Sequence, residues 1–206
     1  MKPSDFSIYL TRFLSDYLPV QKNVSRNTIK SYRDTFKLLL LYLQEIGISP
    51  EKVTMQTLSA EQVREYLVWL ETERKCSIST RNLRLTALHS FFRFAQTEAP
   101  QALYYYQKVL AIPVKKKPKP VVPFLSADGI RLLLEQPNRN TAQGRRDLTL
   151  LSTMYDSGAR VQEIIDLTVK DFISGSNPVL TLTGKGSKTR RVPIMKNTAA
   201  LLDKYI

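Results

Sequence analysis

The sequence predicts a mainly α-helical protein: a helical first half, then a partial α+β domain with a small antiparallel β-hairpin. Three observations carry that expectation. Apolar residues recur at three- and four-residue steps through most of residues 1–112. Prolines and lysines then crowd Pro113 to Pro120, where neither helix nor central strand can run. Finally, Val179-Leu180-Thr181-Leu182 is a β-prone run followed by a Gly-rich basic turn and a return through Arg191-Val192-Pro193-Ile194. The expected domains are 1–112, a basic Pro-rich linker at 113–123, and 124–206.

In the first half, Phe6 to Leu18 predicts a helix whose rough apolar face is Ile8-Tyr9, Phe13 and Tyr17. Ser25 is an N-cap candidate for a longer helix to about Glu45. Its apolar positions are Ile29, Tyr32, Phe36, Leu39, Leu40 and Leu43. Gly47 ends it, and Pro50 follows. A third helix is expected from Ala60 to Glu73, with Val63, Leu67 and Leu70 facing inward.

The fourth helix, from about Ser79 to Gln96, has a core stripe of Leu85, Leu88, Phe92 and Ala95, widened by Leu83, Ala87, Phe91 and Phe94. Opposite runs a polar stripe of Asn82, Thr86, His89, Arg93 and Gln96, spaced to share one side. Each of these side chains can donate a hydrogen bond, and no acid occurs from Arg74 through Thr97. An ordinary solvated face usually mixes signs, so this one reads as a nucleic-acid surface. Arg84 is expected at the helix edge, its stem along the core. His89 is the single histidine; without sequence-near partners it reads as a hydrogen-bonding surface residue rather than a metal ligand.

In the linker, Lys115, Lys116, Lys117 and Lys119 suit a segment crossing a phosphate backbone, with plain solvation as the alternative. In the second half, Leu125-Ser126-Ala127-Asp128 caps a helix from Gly129 to Gln136, and Asn138 to Gly144 is polar loop. Arg145-Arg146-Asp147 opens an apolar helix, Leu148 to Tyr155. A kink at Gly158 precedes a helix starting near Arg160, with Ile164, Ile165 and Leu167 behind it. Ser174 to Pro178 forms a turn before the hairpin, and Asn197 to Ile206 a last helix.

Composition narrows the partner. With 31 Lys+Arg against 18 Asp+Glu, the formal charge is +13. That favours a polyanion, nucleic acid before anionic membrane, with mere solubility as the bland alternative. Residues 1–112 carry 15 basic and 10 acidic side chains and residues 113–206 carry 16 and 8, balances of +5 and +8. A polyanion gripped from both halves is therefore more natural than one isolated patch. The single cysteine, Cys76, excludes an internal disulfide and a cysteine-based zinc site. A cytoplasmic location is expected, since no stretch is long and apolar enough for a membrane span and the first residues lack a signal peptide's apolar run.

The chemistry the residues allow is phosphoryl transfer without metal or nucleotide. There is no Walker loop, no GxGxxG after a strand and no HExxH. Arg160, at a helix start, has the planar fork that binds two phosphate oxygens. Lys185, at a hairpin tip, can protonate a departing alkoxide. The alternative is that Arg160 caps local carbonyls and the hairpin lysines are solvated.

Tyr155-Asp156-Ser157-Gly158-Ala159-Arg160-Val161-Gln162-Glu163-Ile164, with Leu167 and Asp171 beyond, resembles the catalytic-arginine box of the tyrosine recombinases, the phage-integrase and Xer-like enzymes. Gly184-Lys185-Gly186-Ser187-Lys188-Thr189-Arg190-Arg191-Val192-Pro193 resembles their catalytic-lysine hairpin. Upstream, the Ser-x-x-Thr start at Ser25 and the helix from Ser79-Thr80-Arg81 to Phe91-Phe92-Arg93-Phe94-Ala95 resemble the family's SAM-like core-binding domain. The resemblance covers essentially the whole chain.

It implies a clamp on duplex DNA, other recombinase protomers on the same DNA, and no cofactor. A tyrosine attacks the scissile phosphate to give a 3′-phosphotyrosine link, Arg160 stabilises the phosphate charge and Lys185 is the general acid. Glu163 is expected to buttress the arginine helix. Arg81, Lys188 and Arg190 join the expected DNA contacts. Family members continue past the hairpin to a His-x-x-Arg box and the nucleophilic tyrosine, which these residues do not contain; Tyr205 follows the hairpin too closely to serve. The chain alone is therefore expected to bind DNA without cutting it. The alternatives are a stand-alone DNA-binding module, acting as regulator or decoy, and a basic helical RNA-binding protein.

Overall fold

The computed structural model describes residues 3–117, 123–184 and 186–206. Contacts divide the chain into two units, Met1–Pro120 and Val121–Ile206.

The first unit is helical. Helix α1 spans Asp5–Arg12, capped by Ser4, whose hydroxyl accepts the Ser7 N–H. It runs on as a widened π-helical stretch, Phe13–Gln21. The sequence suggests an end at Leu18, ahead of Pro19. Instead the wider turn carries the chain past a residue that has no N–H, and Lys22 N–H reaches back to the Tyr17 carbonyl at 2.9 Å. Helix α2 spans Arg26–Glu45 with Ser25 as its cap, as expected. Helix α3 is Ala60–Thr72 and α4 is Ile78–Glu98. A further helix, α5, covers Leu103–Leu110; it is too short and too tyrosine-rich to stand out as an amphipathic pattern.

Phe13 is the hub of this unit's core. It is 0% exposed, and the rings of Tyr17, Tyr32, Phe36, Phe91 and Phe94 surround it at centroid distances of 5.4 to 6.1 Å. Stacked, tilted and edge-on aromatic pairs of this kind contribute roughly 0.5–1.5 kcal/mol each beyond the area they bury. The π-helical stretch, α2 and α4 thus share one aromatic cluster, which fixes the face that α4 turns outward. Leu83, expected to widen the core stripe, is 49% exposed. It lies five residues from the buried Leu88, about 140° round the helix, and so points away.

In the second unit, α6 (Ala127–Glu135) is capped by Ser126. Helix α7 spans Ala142–Ser157, beginning inside the expected polar loop because the Thr141 hydroxyl accepts the Gly144 N–H at 3.0 Å. Gly144 lies hard against the loop before it: a Cβ there would come within 1.9 Å of the Asn138 carbonyl oxygen. Gly158 closes α7 in the left-handed conformation at φ 58°, and α8 covers Val161–Ile165. Strands β1 (Phe172–Ile173), β2 (Val179–Gly184) and β3 (Lys188–Pro193) form an antiparallel sheet in sequence order. Helix α9 spans Lys196–Tyr205, and Tyr205 is its last residue. A small core of Ile164, Leu180, Leu182, Ile194 and Ala199 joins α8, the sheet and α9. Ile165, expected behind the Arg160 helix, is 64% exposed.

Candidate functional site

The left-handed turn at Gly158 returns the backbone to an extended conformation, so that Arg160 sits at φ −71°, ψ 151° as the N-cap of α8. Three residues on, one turn into the helix, Glu163 folds back toward it. Glu163 Oε2 accepts the Arg160 backbone N–H at 2.9 Å and Oε1 accepts Arg160 Nη1 at 2.8 Å. This is the buttress expected of Glu163, now with its geometry. The Arg160 side chain remains 73% exposed while that of Glu163 is only 3% exposed. A buried carboxylate therefore aims an open guanidinium.

The hairpin supplies the second cation on Glu163. In the antiparallel register Leu180 faces Val192, Leu182 faces Arg190 and Gly184 faces Lys188. Side chains alternate along a strand, so Arg190 shares the face of the buried Leu180 and Leu182. There it forks onto Glu163, with Nη1 to Oε1 at 3.0 Å and Nη2 to Oε2 at 2.8 Å. Gly184 comes close to the same carboxylate: a Cβ on it would stand 2.5 Å from Glu163 Oε1. The glycine that reads as a flexible turn residue is thus also a close-approach residue.

These contacts hold Glu163 ionised. Its pKa is lowered to about 2, first by the hydrogen bonds from Arg190 and then by the Arg160 backbone N–H. The same pair raises the Arg190 pKa. The cluster of Arg160, Glu163 and Arg190 carries one net positive charge. Arg160 can bind an anion and stabilise charge developing on it. Lys185, the expected general acid, lies outside the described residues, as does Lys119. Lys188 is exposed, at the first position of β3. Among the described residues no group of three or more His, Cys, Asp or Glu is placed to hold a metal ion.

In the first unit, the polar side of α4 is less open than its sequence suggests. The Asn82 amide is hydrogen-bonded to the Lys115 backbone on both sides, at 2.8 and 3.0 Å. His89 Nε2 meets the Val109 carbonyl of α5 at 3.1 Å. A carbonyl only accepts, which assigns the proton to that nitrogen. Burial lowers the His89 pKa, which favours the neutral ring. Gln96 Nε2 is buried with no partner among the described residues. Thr86 and Arg93 are exposed, and the Thr86 hydroxyl donates to the Asn82 carbonyl.

Arg81 is buried at 6% exposure. It donates to the Pro113 carbonyl at 3.2 Å and lies 3.7 Å from Glu71. It is seven residues before Leu88, two helical turns, and so falls on the core-facing side; that spacing was the available signal. Arg84 reaches α2 rather than the helix edge, donating to the Ser31 carbonyl and the Thr35 hydroxyl. Lys115 pairs with Glu71, and Lys117 donates to the Ser79 hydroxyl at 2.8 Å. Lys116 is exposed. The contacts of Glu71 had no signal in the sequence, since it lies on α3, far along the chain from Lys115.

Residues 10–99 match the family model described as the phage integrase N-terminal SAM-like domain, and residues 123–206 match that of the phage integrase family. A Sinorhizobium fredii protein named as an integrase/recombinase, y4rC, is 36% identical over 206 residues, which is all of this chain and 62% of that protein. Tyrosine recombinase XerD of Pseudomonas putida is 30% identical over 190 residues, 92% of this chain and 60% of that protein. Among solved structures, a lambda integrase tetramer bound to a Holliday junction aligns with a TM-score of 0.67 at 16% identity, covering 97% of this chain and 55% of that one. The chain spans about three-fifths of the length of these curated relatives.

Proposed function

From a chain that belongs to the tyrosine recombinase, or phage integrase, family, we propose a part of a site-specific recombinase that cuts and rejoins duplex DNA through a 3′-phosphotyrosine intermediate. The observation that carries this reading is the buried Glu163 carboxylate holding the exposed Arg160 guanidinium at the start of α8. Arg160 binds the non-bridging oxygens of the scissile phosphate and stabilises their charge as the fifth ligand approaches. The tyrosine oxygen–phosphorus bond forms as the phenol gives up its proton to water, the phosphorus–O5′ bond breaks, and the departing oxygen takes a proton from Lys185. Rejoining reverses each step. The chemistry needs no metal or nucleotide, because the fixed cations supply the charge.

Within the first unit the proposed DNA contacts are Thr86 and Arg93 on α4 with Lys115, Lys116, Lys117 and Lys119 beyond it; Lys188 adds one from the hairpin. Asn82, Arg81 and His89 serve the same surface from behind, by holding residues 113–115 and α5 in place. Other protomers on the same DNA complete the proposed assembly, in the cytoplasm.

The test is chemical. The natural protein carrying this chain is incubated with a nicked suicide duplex, and the adduct is digested and sequenced. The expected product is a tyrosine linked to a 3′-phosphate, with a free 5′-hydroxyl on the released strand. Retention of duplex without an adduct would favour the stand-alone DNA-binding module. Preference for structured RNA over duplex DNA would overturn both.

A further inference from the structure

One carboxylate in the second unit accepts four N–H groups. Glu163 takes the backbone N–H and Nη1 of Arg160 at 2.9 and 2.8 Å, and Nη1 and Nη2 of Arg190 at 3.0 and 2.8 Å. Its side chain is 3% exposed, whereas that of Arg190 is 40% exposed. The charges set up a conflict. A carboxylate that aims Arg160 also neutralises it, and an ion pair at this distance competes directly with a phosphate for the same guanidinium. A bare Arg160–Glu163 pair is neutral overall. With Arg190 on the other edge of the carboxylate, the cluster is left with a charge of +1.

We infer that Arg190 is a positioning residue that balances the charge of Glu163, so that Arg160 stays aimed by the carboxylate yet keeps its positive charge for a phosphate. This rests on the reading of Arg160 as the phosphate-binding arginine. It differs from the role expected of Arg190 in the sequence, a direct DNA contact. It also differs from a simple staple between hairpin and α8, for which the fork matters and the charge does not. Gly184 fits the charge-balancing role, because its missing Cβ leaves room for Glu163 Oε1 between the two arginines.

The roles separate in a double-mutant cycle on the natural protein carrying this chain, with covalent-complex formation on a suicide duplex and duplex affinity measured side by side. Arg190→Met is expected to slow covalent-complex formation by on the order of ten- to a hundredfold, while affinity changes by less than about threefold. Glu163→Gln combined with Arg190→Met removes both charges and restores the +1; it is expected to cut at least several-fold faster than Arg190→Met alone, while staying below the parent because glutamine keeps only one of the two oxygens that hold Arg160. A double variant as slow as Arg190→Met alone would make the tie a staple and overturn the inference. A matching loss of affinity in Arg190→Met would make Arg190 a DNA contact and overturn it as well.

Should Arg190→Met fail to fold, Arg190→Lys decides. It keeps the charge without the fork and is expected to cut within a few-fold of the parent; a loss as deep as that of a neutral residue contradicts the inference. Arg160→Ala runs alongside. If it cuts normally, the assignment of Arg160 itself fails, which is a different outcome from an intact Arg160 effect with no rescue at Arg190.

Discussion

Asn82 grips the peptide of Lys115 from both sides: its Nδ2 donates to the Lys115 carbonyl at 2.8 Å, and its Oδ1 accepts the Lys115 N–H at 3.0 Å. Arg81 holds the Pro113 carbonyl two residues earlier, and Ser79 takes the Lys117 ammonium two residues later. Alternate residues of this segment are thus laid along the start of α4. Asn82→Ala is expected to release this segment while the aromatic core stays intact. Hydrogen exchange should show loss of protection at the Lys115 amide, with the unit's melting temperature lowered by no more than several degrees. A surface pair of neutral hydrogen bonds contributes only about 1–2 kcal/mol.

Gly144→Ala tests how tightly α7 starts. Its Cβ would overlap the Asn138 carbonyl oxygen at 1.9 Å, and backbone is not free to give way there. The expected loss of stability is about 3 kcal/mol, at the upper end for an overpacked site, read as a lower urea midpoint. Ala142→Gly, in the same first turn, is expected to cost much less.

Acid stability follows from the depressed Glu163 pKa. A carboxylate whose folded pKa is below its unfolded value stabilises the fold above the unfolded pKa, because the unfolded chain takes up the proton first. That contribution is lost as the pH falls from about the ordinary carboxylate value of 4.5 toward the folded value of about 2. The parent protein is therefore expected to lose stability across this window, and Glu163→Gln to lose less over the same range. Unfolding midpoints measured at several pH values check the sign.

The formal charge of +13 predicts that duplex binding weakens steeply with salt. Each phosphate neutralised by Lys or Arg adds about 0.9 to the slope of log affinity against log salt. Arg93→Ala and Lys116→Ala are each expected to lower that slope by about one. Gln96→Ala, on the same helix but half-buried, is expected to leave it unchanged. Fluorescence titrations across a salt series give the numbers.

Much of this architecture was legible because it is written in local signals. Ser25 caps α2, Gly158 ends α7, and the alternation through Val179 to Leu182 makes a strand wherever it is placed. The place of Arg160 at a helix start was legible for the same reason, whereas the part played by Glu163 came from the resemblance of the box. What stayed hidden depends on partners distant in sequence. The polar stripe on α4 reads as open because nothing near Asn82 or His89 reveals that residues 109 and 115 return to cover them. Arg190 reads as one more basic residue in a basic turn. Only the strand register, which sets it opposite Leu182, shows that it faces inward to Glu163. Helix α5 was missed because its buried residues, Tyr106 and Val109, make too short a pattern.

The account turns on Arg160 acting on a phosphate rather than capping its own helix. Single-turnover formation of the covalent complex on a suicide duplex, by the natural protein and its Arg160→Ala variant with duplex affinity measured in parallel, tests this most directly. The expected result is a loss of at least about a hundredfold in rate, with affinity within about threefold of the parent. Covalent complex forming at the parent rate in Arg160→Ala would contradict the account.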